Sequence, residues 1–95
     1  MDKQSIFNKA KARLEMLDVQ PKADLLSYSV EKAGHEAADY CNLSSVEYFP
    51  PDAEFWLAEY AAAEYAMENE IYKPLWGKMI KDAEIRLLAY RRMRW

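Results

Sequence analysis

Glu31, His35 and Asp39 are the side chains best spaced for chemistry in this chain. Residues four apart share a helical face, so the three would meet at one metal ion if their segment is helical. Metal sites in helical bundles draw further ligands from facing helices, often as Glu-x-x-His, and the sequence holds no second cluster of that kind. The set therefore reads as a solvated polar face. His35 is also the sole histidine, the one side chain able to serve a serine or cysteine nucleophile as base. Cys41 lies six residues further on, about 600° round a helix, and does not face it. Glu64 and Glu68 have ordinary helix-surface spacing, with no apolar pocket implied that would raise a carboxyl pKa. The two glycines, Gly34 and Gly77, form no phosphate-cradling loop. The expectation is a chain with no catalytic residues, no metal and no cofactor: not an enzyme.

The elements that carry these residues are predicted to be helices. At 95 residues the chain is expected to be a single domain, burying roughly 60–65% of the surface its unfolded state exposes. Hydrophobic residues make up 52% and charged residues 31%, a globular balance. The first period, over about 3–17, repeats Phe7, Ala10, Leu14 and Leu17, with Ile6 and Met16 widening the stripe, and Pro21 forbids its continuation. The second, about 22–41, carries Leu26, Val30, Ala33, Ala37 and Tyr40, and Gly34 among alanines offers a smooth face for a neighbouring helix. Pro50 and Pro51 open the third, about 51–70. Its stripe is Ala53, Trp56, Tyr60, Ala63 and Met67, with Leu57, Ala61 and Tyr65 as a second flank and Glu54, Glu59, Glu64 and Glu68 as a narrow wet edge. Being apolar almost all the way round, this helix must be covered from more than one side. The fourth, about 74–93, starts at Pro74 and aligns Trp76, Ile80, Ala83, Leu87 and Tyr90. No β-period of useful length appears. The fold class expected is all-α, a small four-helix bundle over residues 1–95.

Cys41 excludes an internal disulfide and is expected as a small buried hydrophobe. The opening residues MDKQSIFNKAKARLEM lack the continuous apolar run of a secretory leader, and charges interrupt every window of about 18 residues that would span a membrane. These features predict a soluble intracellular protein. The net charge of −3 is unevenly distributed. Residues 1–19 hold four basic and three acidic side chains, 20–70 two against eleven, and 71–95 seven against two. Such polarity suits a domain placed between unlike partners or head to tail with its own copies. The segment Tyr90, Arg91, Arg92, Met93, Arg94, Trp95 has the composition of an interface hot spot. Tyr90, Arg91, Arg92, Arg94 and Trp95 are therefore the candidate partner-binding residues, with an acidic protein surface as their target.

With these features in place, the chain resembles the head–tail connector (adaptor) proteins of tailed phages. The resemblance rests on an amphipathic first helix, a longer helix ending near Tyr40-Cys41, and a proline-bearing loop. The central helix Phe55-Trp56-Leu57-Ala58-Glu59-Tyr60-Ala61-Ala62-Ala63-Glu64-Tyr65 and the helix that follows it complete the match. The chain departs from the common pattern after its fourth helix, where many relatives carry a longer extension. The resemblance implies a structural protein of the virion, made in the host cytoplasm. It would form a ring between the portal protein and the next tail or stopper protein and continue the DNA channel, through which DNA passes without sequence-specific binding. Two other functions fit the residues: a helical regulator that binds a protein helix in its groove, and a small DNA-binding helical domain, against which the sequence pI near 5.1 argues.

Overall fold

A computed structural model of the chain describes residues 2–91. Four α-helices, α1 (Lys3–Met16), α2 (Ala23–Tyr40), α3 (Glu54–Glu68) and α4 (Pro74–Leu87), make an all-α bundle. Short 3₁₀ turns stand at Val46–Tyr48, Pro51–Ala53 and Leu88–Tyr90. The described part of the fourth element thus tightens after Leu87, and the backbone is extended at Arg91, where the sequence periodicity had predicted continuous α-helix.

The helix starts follow the expected chemistry. Asp2 caps α1, its carboxylate accepting the Gln4 N–H, and Pro74 occupies the first turn of α4. α2 has no side-chain cap of its own. Instead the Lys22 N–H donates to the Tyr65 hydroxyl of α3 at 2.9 Å, so a tertiary contact satisfies an end donor.

The helix stops share one device. After α1, α2 and α3 the chain places Asp18, Asn42 and Glu70 in the left-handed region, at φ 62°, 56° and 60°. In each case the next residue, Val19, Leu43 or Ile71, returns its N–H to the carbonyl five residues back, at 2.8–2.9 Å. This is the Schellman geometry, which satisfies carbonyls at the helix end and turns an apolar residue back onto the bundle. Val19 and Leu43 are buried and Ile71 is half-buried against the core.

α3 is the central helix: α1, α2 and α4 all pack against it. Its buried side chains are mostly alanines, Ala58, Ala61, Ala62, Ala63 and Ala66, which let the neighbours approach closely. The bulk of the core comes from those neighbours, with Ile6 and Leu14 from α1, Leu26 and Val30 from α2, and Trp76, Met79 and Leu87 from α4. The stripe expected along α3 is rotated. Leu57, Ala61 and Tyr65 lie at the centre, Trp56 and Tyr60 are half-buried at the seams, and Met67 is 52% exposed. On α1, Met16 is exposed as well. Gly34 does allow a close approach, but by Val46 of the first 3₁₀ turn, whose Cβ would lie 3.4 Å from an added methyl.

The indole of Trp76 is 1% exposed and its N–H donates to the Ile71 carbonyl at 2.9 Å. Trp76→Ala should therefore cost about 3–5 kcal/mol, the usual range for emptying an aromatic core site. Trp56→Ala should cost only about 1–2 kcal/mol, because that ring is only partly buried, at the edge of the core. Urea unfolding of both variants checks the order; equal losses would place Trp56 in the core.

Candidate functional site

The glutamates of α3 are the first departure from a simple amphipathic picture. Because three helices surround α3, its wet edge lies inside the seams. Glu59 is buried, 8% exposed, and accepts from the Arg13 guanidinium of α1 at 3.0 Å. Glu54 accepts from the Ser5 hydroxyl and pairs with Lys9, also on α1. Ser5 first and Lys9 next hold the Glu54 carboxyl below the usual carboxylate range. On the other side of α3, Lys32 of α2 lies 2.8 Å from Glu68 and 3.7 Å from Glu64. Lys3 pairs with Glu31 across the α1–α2 seam.

These pairings decide where charge is left over. Acidic α3 takes its cations from α1 and from Lys32, not from basic α4. Among the described residues, Lys78, Lys81 and Arg86 of α4 form no ion pair. Lys73 donates to the Leu17 carbonyl and lies 5.9 Å from the Trp76 ring centroid. Arg86 stacks on Trp56, with 5.4 Å between guanidinium carbon and ring centroid, a cation–π contact.

Two unlike surfaces result, one on each side of α4. Glu84 and Leu87 face α2, where they line a cleft of about 470 Å³ with Glu36, Asp39, Tyr40 and Tyr60. Tyr60 reaches the Glu36 carboxylate at 3.5 Å, a long contact. Burial, then the Glu64, Glu36 and Glu84 carboxylates, push its phenol up. The cleft is thus acidic and walled by aromatic rings. About half a helical turn away, Asp82, Ile85, Arg86 and Ala89 form a hollow of about 400 Å³ with Trp56. Phe55, Leu75 and Lys78 extend it towards Arg13 through a second hollow that shares Trp56 and Asp82. Phe55 and Ile85 are more than half exposed. Exposed aromatics beside arginine have the composition that concentrates binding energy at interfaces.

Of the tail residues singled out by composition, Tyr90 is half-buried and packs edge-on against Phe49 of its own bundle, with ring centroids 6.2 Å apart. Arg91 is exposed. Arg92, Arg94 and Trp95 lie outside the described residues. Glu36, Tyr60, Glu84, Trp56 and Arg86 were missed as surface-forming residues. The signal available was the absence of an acidic partner for α4, which only the pairing of α3 with α1 makes visible.

His35 is exposed on α2, 4.0 Å from Glu31, whose carboxylate also holds Lys3. Among the described residues no group of three or more histidine, cysteine or acidic side chains is placed to hold a metal ion. No helix of the described residues is long and apolar enough to cross a membrane. Cys41 is buried and its thiol donates to the Leu87 carbonyl at 3.1 Å, tying the end of α2 to the end of α4. Burial pushes this thiol up, against a smaller opposing pull from Arg91.

The chain matches no family model, no curated protein and no solved structure.

A buried thiol held above its ordinary pKa is a poor nucleophile. Iodoacetamide at pH 8 should modify Cys41 in the folded protein at least ~100-fold more slowly than in urea, since access requires opening of the fold. Mass spectrometry over time checks this; equal rates would show that the α2–α4 junction is open.

Proposed function

We propose that this chain is a structural assembly protein: the head–tail connector (adaptor) of a tailed phage, forming a ring between portal and tail. One observation carries the reading. α4 presents an acidic, tyrosine-walled cleft with no cation in its lining on one side, and on the other a tryptophan-bearing surface where Arg86 and Lys78 stand near Asp82 but form no ion pair among the described residues. Unlike surfaces on opposite sides of one helix suit heterologous contacts between copies, which generate a ring when the rotation closes. In such a ring Arg86 and Lys78 of one copy meet Glu36, Asp39 and Glu84 of the next. The isolated chain stays monomeric until a portal ring templates the contacts.

Tyr90, Arg91, Arg92, Arg94 and Trp95 belong to the surface towards the portal or the stopper protein, with arginine pairing bidentately to carboxylates there. DNA passes through the ring without base contacts, and no metal or cofactor takes part. The protein is made in the host cytoplasm and ends in the virion. Its similarity in sequence pattern to connector proteins supports this assignment.

The test is to mix the purified chain with the portal protein of the same phage and follow both by sizing chromatography. Wild type should move into the portal fraction. A Lys78→Glu, Arg86→Glu variant should not, and recovery is expected when half the copies instead carry Glu36→Lys and Glu84→Lys. A verified portal ring that leaves the wild-type chain monomeric at both low and high salt overturns the reading. Steep salt-dependent binding to duplex DNA without portal association would assign the basic side to nucleic acid instead.

A further inference from the structure

Glu64 sits in the seam between α2 and α3 with its side chain only 12% exposed. Its Oε1 is fully buried and has no hydrogen-bond partner. The charges that face it come from three helices: Lys32 and Glu36 on α2, Glu68 and the phenol of Tyr60 on its own α3, and Glu84 of α4 beyond Tyr60. Lys9 and Arg13 of α1 are committed to Glu54 and Glu59 on the far side of α3, and Lys3 to Glu31. Among the described residues Lys32 is the one cation paired with Glu64, and it is held more closely by Glu68, at 2.8 Å, than by Glu64, at 3.7 Å. An ionised Glu64 would place negative charge among two or three other carboxylates with little solvent to screen it. A neutral Glu64 gains an O–H able to donate to Glu36 and removes that repulsion.

We propose that Glu64 makes the α2–α3 seam a proton-operated latch: with its proton in place the seam is closed, and on losing it the Lys32–Tyr40 half of α2 loosens from α3. Burial first and the neighbouring Glu36 next raise the Glu64 carboxyl to about 7, so the latch works across neutral pH. The direction follows from linkage. Between the ordinary carboxylate value of 4.5 and about 7 the folded chain keeps a proton that the unfolded chain releases, so stability falls as pH rises through that window and is fully present below it. Because Tyr60 also lines the acidic cleft between α2 and α4, loosening α2 reshapes that surface. The inference concerns the isolated chain and stands apart from the assembly reading.

Urea unfolding of the purified protein from pH 5 to pH 8.5 tests it, with Glu64→Gln as a permanently neutral copy. The folded-to-unfolded ratio of wild type should drop on the order of 100-fold over that range. The Gln variant should change far less and be the more stable protein at pH 8. Amide hydrogen exchange locates the effect: above pH 7, corrected for intrinsic rates, Lys32–Tyr40 should lose protection ahead of α1 in wild type alone. Parallel stability curves for the two proteins overturn the proposal, and so does a uniform loss of protection over all helices. Should Glu64→Gln fail to fold, the Glu64 side-chain carboxyl carbon is followed by NMR in wild type. A midpoint near 7 supports the latch; one below about 5, in the usual carboxylate range, ends it.

Discussion

The enclosure of α3 by the other three helices governs this structure. A helix packed on by three neighbours has little free edge for its acidic residues, so each of Glu54, Glu59, Glu64 and Glu68 lies in or beside a seam. Buried carboxylates are tolerated only with a counter-charge or a proton. The bundle answers differently on its two sides. Towards α1 it supplies Lys9 and Arg13, one for each glutamate. Towards α2 it supplies only Lys32 for two, and Glu64 is the group left short.

That allocation shapes the outer surface as well as the core. With α1 neutralising α3, the basic residues of α4 are released from internal duty and face solvent, Arg86 resting on the half-buried Trp56. On the opposite side of α4, Glu36, Asp39 and Glu84 gather with no cation among the lining residues of their cleft. The alanines of α3 contribute indirectly. By admitting close neighbours they draw α2 and α4 together, which brings Glu36 and Glu84 to one cleft. A single packing decision, small residues on the central helix, thus underlies the core, the buried carboxyl and the two unlike flanks.

Much of the fold was legible in the sequence, because apolar spacing on each segment reports which residues turn inward. The stops of the first three helices, expected near 17, 41 and 70, fall at Met16, Tyr40 and Glu68, but the geometry that makes them is not legible in the sequence. Pro21 is the obvious breaker, yet α1 already ends at Met16 through Asp18 in the left-handed region, and Asn42 and Glu70 repeat the device. Only glycine announces that conformation reliably, and these three positions carry none. The face of α3 was rotated for a related reason: with apolar residues nearly all round, spacing cannot tell stripe from flank, and the large aromatics Trp56 and Tyr60 drew the stripe away from Leu57, Ala61 and Tyr65. The glutamates were placed at a solvated edge because sequence records the helix that carries a charge, not the number of helices around it. The surfaces beside α4 depend on which cation pairs with which glutamate, and that is tertiary information.

α1, not α4, supplies the cations of the α1–α3 seam, and a double-mutant cycle at Arg13 and Glu59 measures this most directly. Arg13 is about one-third exposed and Glu59 is buried. The coupling energy should therefore fall between surface and fully buried pairs, at about 1–2 kcal/mol. Single removal of Arg13 should be the more damaging step, since it strands the Glu59 carboxylate. A coupling within the additivity error of about 0.3–0.5 kcal/mol would contradict the account, because Glu59 would then not depend on α1 and α4 would be free to pair with α3.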